Sequence, residues 1–262
     1  MRVGELLDAA IKLYRQNWKL FMGIVAFVLV PIQFVQSFLT RSVVPSSPFS
    51  QSNQLPTQSD IHSTFLIGSI FTGLAFLFVL PFLTAAIARA TSEVYVEGSP
   101  KVGDIYRFAL SRTASVLWAS FLVFLMVGLG FIALVIPGII FAIRYGFTTT
   151  VVAIEGRRGT KAMGRSWRLA QGFFWKILGT TLLATILAGI VGSILQIPLA
   201  IVADHAGSSG WVLRAVGGSA AAIVTRPFTG IIVVLLYFDM RIRKEGFDLA
   251  LMAQEIVDRP QI

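Results

Sequence analysis

Two arginines, Arg144 and Arg226, stand inside long runs of aliphatic and aromatic residues. Arg144 follows Pro137 by seven residues, and Arg226 immediately precedes Pro227. A guanidinium within hydrocarbon costs at least about 2.5–3.5 kcal/mol on insertion scales, so it faces a partner or a wet cavity. Together the two would line a polar cavity for an anionic headgroup or solute, with Tyr145, Thr148, Thr225 and Gln196 as further lining. Alternatively, each arginine snorkels toward an interface. It could also tie the carbonyls that a proline-broken helix leaves free at Pro137 or Pro227.

No other set of residues supports bond-making chemistry. The chain has no cysteine, which excludes thiolate catalysis, disulfides and Cys-based metal sites. Its two histidines, His62 and His205, stand far apart in sequence, and Asp204-His205 offers too few ligands for a metal. The segment EGRRGTKAMG ending at Gly164 carries glycines and a lysine without the phosphate-loop spacing, and reads as a basic turn entering a helix. No Ser/His/Asp arrangement or carboxylate pair is present. We therefore expect no enzyme, no catalytic residue, no metal and no cofactor.

The elements that position the arginines follow from composition. Of 262 residues, 55% are hydrophobic and 13% charged, with a mean hydropathy of +0.77. A soluble domain carries roughly 25% charged residues. The net charge of +9 could suggest nucleic acid, but here the basic residues flank apolar runs rather than cover a soluble surface. The start of the chain carries Glu5 and Asp8 and no short apolar core, so no signal peptide is expected.

Six apolar stretches run over residues 20–39, 64–88, 115–136, 138–154, 176–202 and 215–238. About 20 residues suffice to cross a bilayer. The fourth is short and contains Arg144, and a turn at Pro137-Gly138 is expected to separate it from the third. Lys and Arg divide eighteen to two between the alternate connections. By the positive-inside rule both termini are cytoplasmic. The 40–63 connection, rich in Ser, Pro and Gln, is an outer loop.

The chain also repeats itself. Val3-Gly4-Glu5, Val102-Gly103-Asp104 and Met163-Gly164-Arg165 each open an amphipathic stretch that leads into a span. Each return span carries a proline (Pro81, Pro137, Pro227) and closes on Glu-Gly, at Glu97-Gly98, Glu155-Gly156 and Glu245-Gly246. The three units cover approximately residues 1–98, 99–156 and 157–246 of a single membrane domain, and a last amphipathic helix covers 247–258. In the first stretch Leu7, Ile11, Tyr14 and Trp18 share one helical stripe and Glu5, Asp8, Lys12, Arg15 and Lys19 another. Such helices lie in the headgroup layer with their basic side toward anionic lipid, or pack against one another. Glu97 and Glu155 are expected to hold local contacts at the repeat ends. The rows Ala184/Ala188/Gly192 and Gly218/Ala222 should let helices approach closely.

The stretches VGELLDAAIKLYRQNWKLFMGI and VVAIEGRRGTKAMGRSWRLAQGFFWKILG resemble the bacterial membrane domain named after glycerophosphoryl diester phosphodiesterases. In that family activity resides in a separate barrel with a His-Arg-Gly segment, which this chain lacks. The resemblance implies the membrane module alone, in a bacterial cytoplasmic membrane.

The expected fold is thus all-α and polytopic, with six transmembrane helices in three hairpin repeats and cytoplasmic amphipathic interfacial helices. The expected function is non-enzymatic: a transport or lipid-handling component, or a scaffold or accessory subunit of another membrane protein. Its partners are membrane lipids, anionic at the cytoplasmic face, with a membrane-protein partner in the scaffold case. No nucleic acid is expected.

Overall fold

The computed structural model describes residues 2–43, 66, 69, 73, 75–96 and 102–246. Helix is the only regular structure among them. Helix α1 spans Val3–Gln16 and α2 Trp18–Val43. A π-helical turn, Ala75–Val79, runs into α3, Leu80–Val96. Then follow α4 (Val102–Ala133), α5 (Val135–Tyr145), α6 (Thr148–Glu155) and α7 (Gly159–Ala170). The long helices α8 (Phe174–His205) and α9 (Gly210–Glu245) complete the described chain. Glu97-Gly98, His62, most of the 40–63 loop and the expected helix at 247–258 lie outside the described residues.

Six segments are long and apolar enough to cross a membrane. They are Trp18–Leu39, Leu77–Tyr95, Val102–Ala133, Val135–Glu155, Phe174–His205 and Gly210–Glu245. Each overlaps one of the six stretches read from the sequence, the second beginning at Leu77 rather than residue 64 among the described residues and the third beginning earlier, at Val102, and the chain is a helical membrane protein. The second basic stretch continues without a break into its span. At 1.5 Å per residue α4 is about 48 Å long, well beyond the ~30 Å hydrocarbon core. The Tyr106 hydroxyl near its start donates to the Ile24 carbonyl of α2 at 2.5 Å.

Helix α9 is the centre. It packs most extensively on α8 and α2, and also on α1 and α3. Small residues bring these helices close. A Cβ placed on Gly217 would lie 3.5 Å from the Gln196 carbonyl oxygen of α8, and one on Gly218 would lie 3.2 Å from Gln33 Oε1 of α2. Ala184, Ala188 and Gly192 of α8 are buried in the same seam. The opposite side of α8 exposes Ile186, Ile190, Ile194, Ile197 and Ile201, as a lipid-facing surface does when tails are as apolar as the side chains.

Two expectations need correction. The turn between the third and fourth spans falls at Leu134, whose backbone is extended (φ −167°, ψ 156°), and not at Pro137-Gly138. Pro137 instead sits in the first turn of α5, where its missing N–H has no partner to lose. The tight reversal depends on glycines: a Cβ on Gly130 would come within 2.9 Å of Gly138 Cα. The fourth span is also not one helix, because α5 and α6 are separated at Gly146-Phe147.

Gly130→Ala should therefore push α5 off α4 and cost about 1–3 kcal/mol by overpacking. Gly179→Ala in α8, where nothing lies within 4 Å, should leave stability unchanged or raise it by up to ~1 kcal/mol. Thermal unfolding of the purified chain in detergent checks the pair.

Candidate functional site

The break between α5 and α6 is where irregular backbone must find partners. Ser166 of α7 supplies them. Its fully buried hydroxyl accepts from the Phe147 amide at 3.1 Å and donates to the Arg144 carbonyl at 2.8 Å. The neighbouring Trp167 ring lies under the Arg144 guanidinium at 5.0 Å and beside the Tyr145 ring at 5.4 Å. Arg144 is thus held at the junction with α7, and its Nε and Nη1 are buried without a hydrogen-bond partner among the described residues.

Tyr145 points instead into a cleft of about 580 Å³ between α3, α4, the α5–α6 break and α9. Each wall repeats at helical spacing, so each is one face of its helix. Leu80, Thr84 and Ile87 come from α3, Ser120, Phe124, Val127 and Phe131 from α4, and Tyr145 and Thr149 from the fourth span. Helix α9 contributes Arg226, Thr229, Gly230 and Val233. Phe124 and Phe131 are about half exposed at the border, while Pro81 and Leu83 are buried at the base. Gly230 lets α9 meet α3: a Cβ there would come within 2.8 Å of Ile87.

Among the described residues Arg226 is the one cation that lines the cleft, and no acidic side chain lines it. Among the described residues it makes no ion pair. Ser120 Oγ is buried and also unpartnered. Thr84 and Thr229 spend their protons on helix carbonyls, at 2.7 Å to Leu80 and 3.0 Å to Arg226.

Of the residues singled out from the sequence, Arg226 and Tyr145 share this cleft. Arg144, Thr148, Thr225 and Gln196 lie outside its lining. Thr148 is buried in the core. Thr225 bonds to the Ala221 carbonyl at 2.7 Å, with its methyl toward Gly192. Gln196 is exposed on α8, beside Gly217. Ser120, Thr84, Thr149 and Thr229 were missed, although their four-residue registers with Phe124, Leu80, Tyr145 and Val233 were present in the sequence. Asp204 pairs with Arg214, and His205 Nδ1 lies 2.9 Å from the Ile201 carbonyl.

A second cluster joins two of the chain's Glu-Gly ends, at Glu155 and Glu245. Glu155 accepts from Arg165 Nε at 2.9 Å, Arg157 Nε at 2.8 Å and the Tyr237 hydroxyl at 2.7 Å. Arg165 reaches on to Glu245 with both terminal nitrogens, and Arg241 Nε lies 3.5 Å from Glu245. Hydrogen bonding to Glu245 pushes the Arg165 pKa up, burial opposes it, and Glu155 adds to the rise. This cation is therefore retained far above neutral pH. Lys176 pairs with Asp239 at 2.5 Å, and Arg243 Nε approaches the same carboxylate at 3.2 Å.

No family model matches this chain, and no curated protein or solved structure does either. The site is therefore read from its own geometry.

Ser166→Ala should leave two buried backbone groups unpaired, at roughly 1–3 kcal/mol each. Glu155→Gln removes the charge that Arg165 and Arg157 share while Arg165 keeps its hold on Glu245; weakening such charge-assisted contacts costs about 1.5–3 kcal/mol. Both should lower the melting temperature in detergent, and the second should also loosen α7 from α6 as seen by faster hydrogen exchange in residues 159–170.

Proposed function

We propose that this chain is a non-enzymatic, multi-pass lipid-handling protein whose cleft binds an anionic amphiphile. One observation carries the reading. Arg226, without a carboxylate partner, lines a cleft that combines hydroxyls with half-exposed phenylalanines. An isolated charge in an apolar protein wall is expensive unless something of opposite sign meets it. A phosphate or carboxylate headgroup supplies that sign, and hydrocarbon covers Phe124 and Phe131.

The same proposal places the chain in a bacterial cytoplasmic membrane with both termini inside, which the distribution of Lys and Arg favours. It reads the six spans as three hairpin units, each introduced by an amphipathic helix at the interface. The linkage of Glu155 to Glu245 through Arg165 supports equivalent ends for two of the units. Leu6 and Ala10 of α1 are buried against protein while Ile11 of the same helix, and Trp18 at the start of α2, remain exposed. A helix bound to protein on one side can thus still present apolar residues to lipid. The resemblance to the phosphodiesterase-associated membrane domain fits this role, as a module without the catalytic barrel. The alternative of a scaffold for another membrane protein draws on the exposed apolar face of α8, a face that acyl chains also cover.

Arg226→Gln should deplete anionic lipid that co-purifies with the chain, as measured by lipid mass spectrometry, while the protein remains monodisperse. Unchanged lipid content would sink the cleft as a binding site. A reporter inserted in the 40–63 loop should be active only on the outer side, and cytoplasmic activity there would overturn the topology.

A further inference from the structure

The chemistry of the cleft restricts the anion further, given the reading of the Arg226 cleft as a lipid site. We infer that it selects a phospholipid whose headgroup is a singly charged phosphodiester bearing a neutral, hydroxyl-containing alcohol. Among the described residues the cleft holds a single positive charge. The next intramembrane arginine, Arg144, stacks on Trp167 and lies outside the lining, so a second negative charge would find no cation. No carboxylate among the described residues lines the cleft to receive an ammonium group, which disfavours zwitterionic headgroups.

The hydrogen-bonding groups point the same way. A guanidinium fork binds two oxygens at once, which engages both oxygens of a fatty-acid carboxylate and leaves that headgroup no hydroxyl to donate. The cleft has donors to spare. Ser120 Oγ is buried and unpartnered. Tyr145 and Thr149, each with a hydroxyl, line the same space. A phosphodiester with alcohol oxygens beyond the charged pair uses these donors. The hydroxyls of Thr84 and Thr229, whose protons go to helix carbonyls, remain as acceptors for the hydroxyls of such a headgroup. On the apolar side, Phe124, Val127 and Phe131 form one stripe of α4 that rises about 10 Å, an edge along which an acyl chain can lie. The volume of about 580 Å³ is that of a typical small-ligand site. It holds a headgroup and the start of its chains rather than a whole lipid.

The test uses the full chain in detergent micelles, equilibrated with an equimolar mixture of phosphatidylglycerol, phosphatidylethanolamine, cardiolipin and oleate, with bound lipid read by native mass spectrometry. The wild type should retain phosphatidylglycerol over each of the others by about tenfold, the scale of one strong polar contact. Arg226→Gln should abolish that preference, whereas Arg226→Lys, which keeps the charge but not the fork, should keep part of it. Ser120→Ala combined with Thr149→Val should retain binding but narrow the margin of phosphatidylglycerol over oleate. Equal retention of cardiolipin and phosphatidylglycerol by the wild type, lost in Arg226→Gln, would overturn the single-charge selection and leave the lipid site standing. A preference for oleate would overturn the phosphodiester. Retention that is identical in wild type and Arg226→Gln would overturn both the selection and the site. Elution of Arg226→Gln as a single species, as for the wild type, separates lost binding from lost structure.

Discussion

The close packing of one helix is the constraint on which the rest of the structure depends. Helix α9 is surrounded by α1, α2, α3, α7 and α8, and it can be because Gly217, Gly218, Ala221, Ala222 and Gly230 keep its sides narrow. Between apolar helices in lipid there is little hydrophobic gain from association, so dispersion contacts at short range must hold them. With its small residues engaged, α9 has one face left for Arg226 and Thr229. Its far end then carries Tyr237, Asp239, Arg241 and Glu245 into the charged cluster. Packing, cleft and ion network are three consequences of the same helix.

The fourth span shows how a weak element is made tolerable. It is short and broken, and its backbone groups at the break would be costly in hydrocarbon. Ser166 and Trp167, adjacent on α7, take the break's amide and carbonyl and the Arg144 guanidinium respectively. At its other end Glu155 is clasped by Arg165 from the same helix. Helix α7 thus supports both ends of α6 and positions Tyr145 at the cleft wall. A segment that is marginal as a free membrane helix becomes a fixed wall of the site.

Much of this was legible in the sequence because hydropathy and charge are long-range averages. The six spans emerge from runs of apolar residues, and the small-residue rows at Ala184/Ala188/Gly192 and Gly218/Ala222 emerge from four-residue spacing. The site was legible only in part. Arg226 stands out because it is costly, and Tyr145 because it neighbours Arg144. The assignment of Arg144 to the same cavity depended on facing, which a sequence gives only within one helix. Adjacent helical residues differ by about 100°, so Tyr145 reaches the cleft as well as the edge of Trp167, while Arg144 stacks on Trp167 and stays outside the cleft. Ser120 and Thr149 carry no cost that marks them, and the register of Leu134 against Pro137 is decided by the contact of Gly130 with Gly138. Pairings between distant segments, such as Arg165 with Glu245, have no signature in local periodicity.

The central claim is that a lipid headgroup and its chain occupy the cleft beside Arg226. The most direct measurement replaces Val127 with a photo-reactive amino acid, irradiates the full chain in its native membrane and identifies the adduct by mass spectrometry. The account predicts a phospholipid adduct at position 127, which Arg226→Gln diminishes. An adduct to protein alone, or a lipid adduct indifferent to Arg226→Gln, would contradict it.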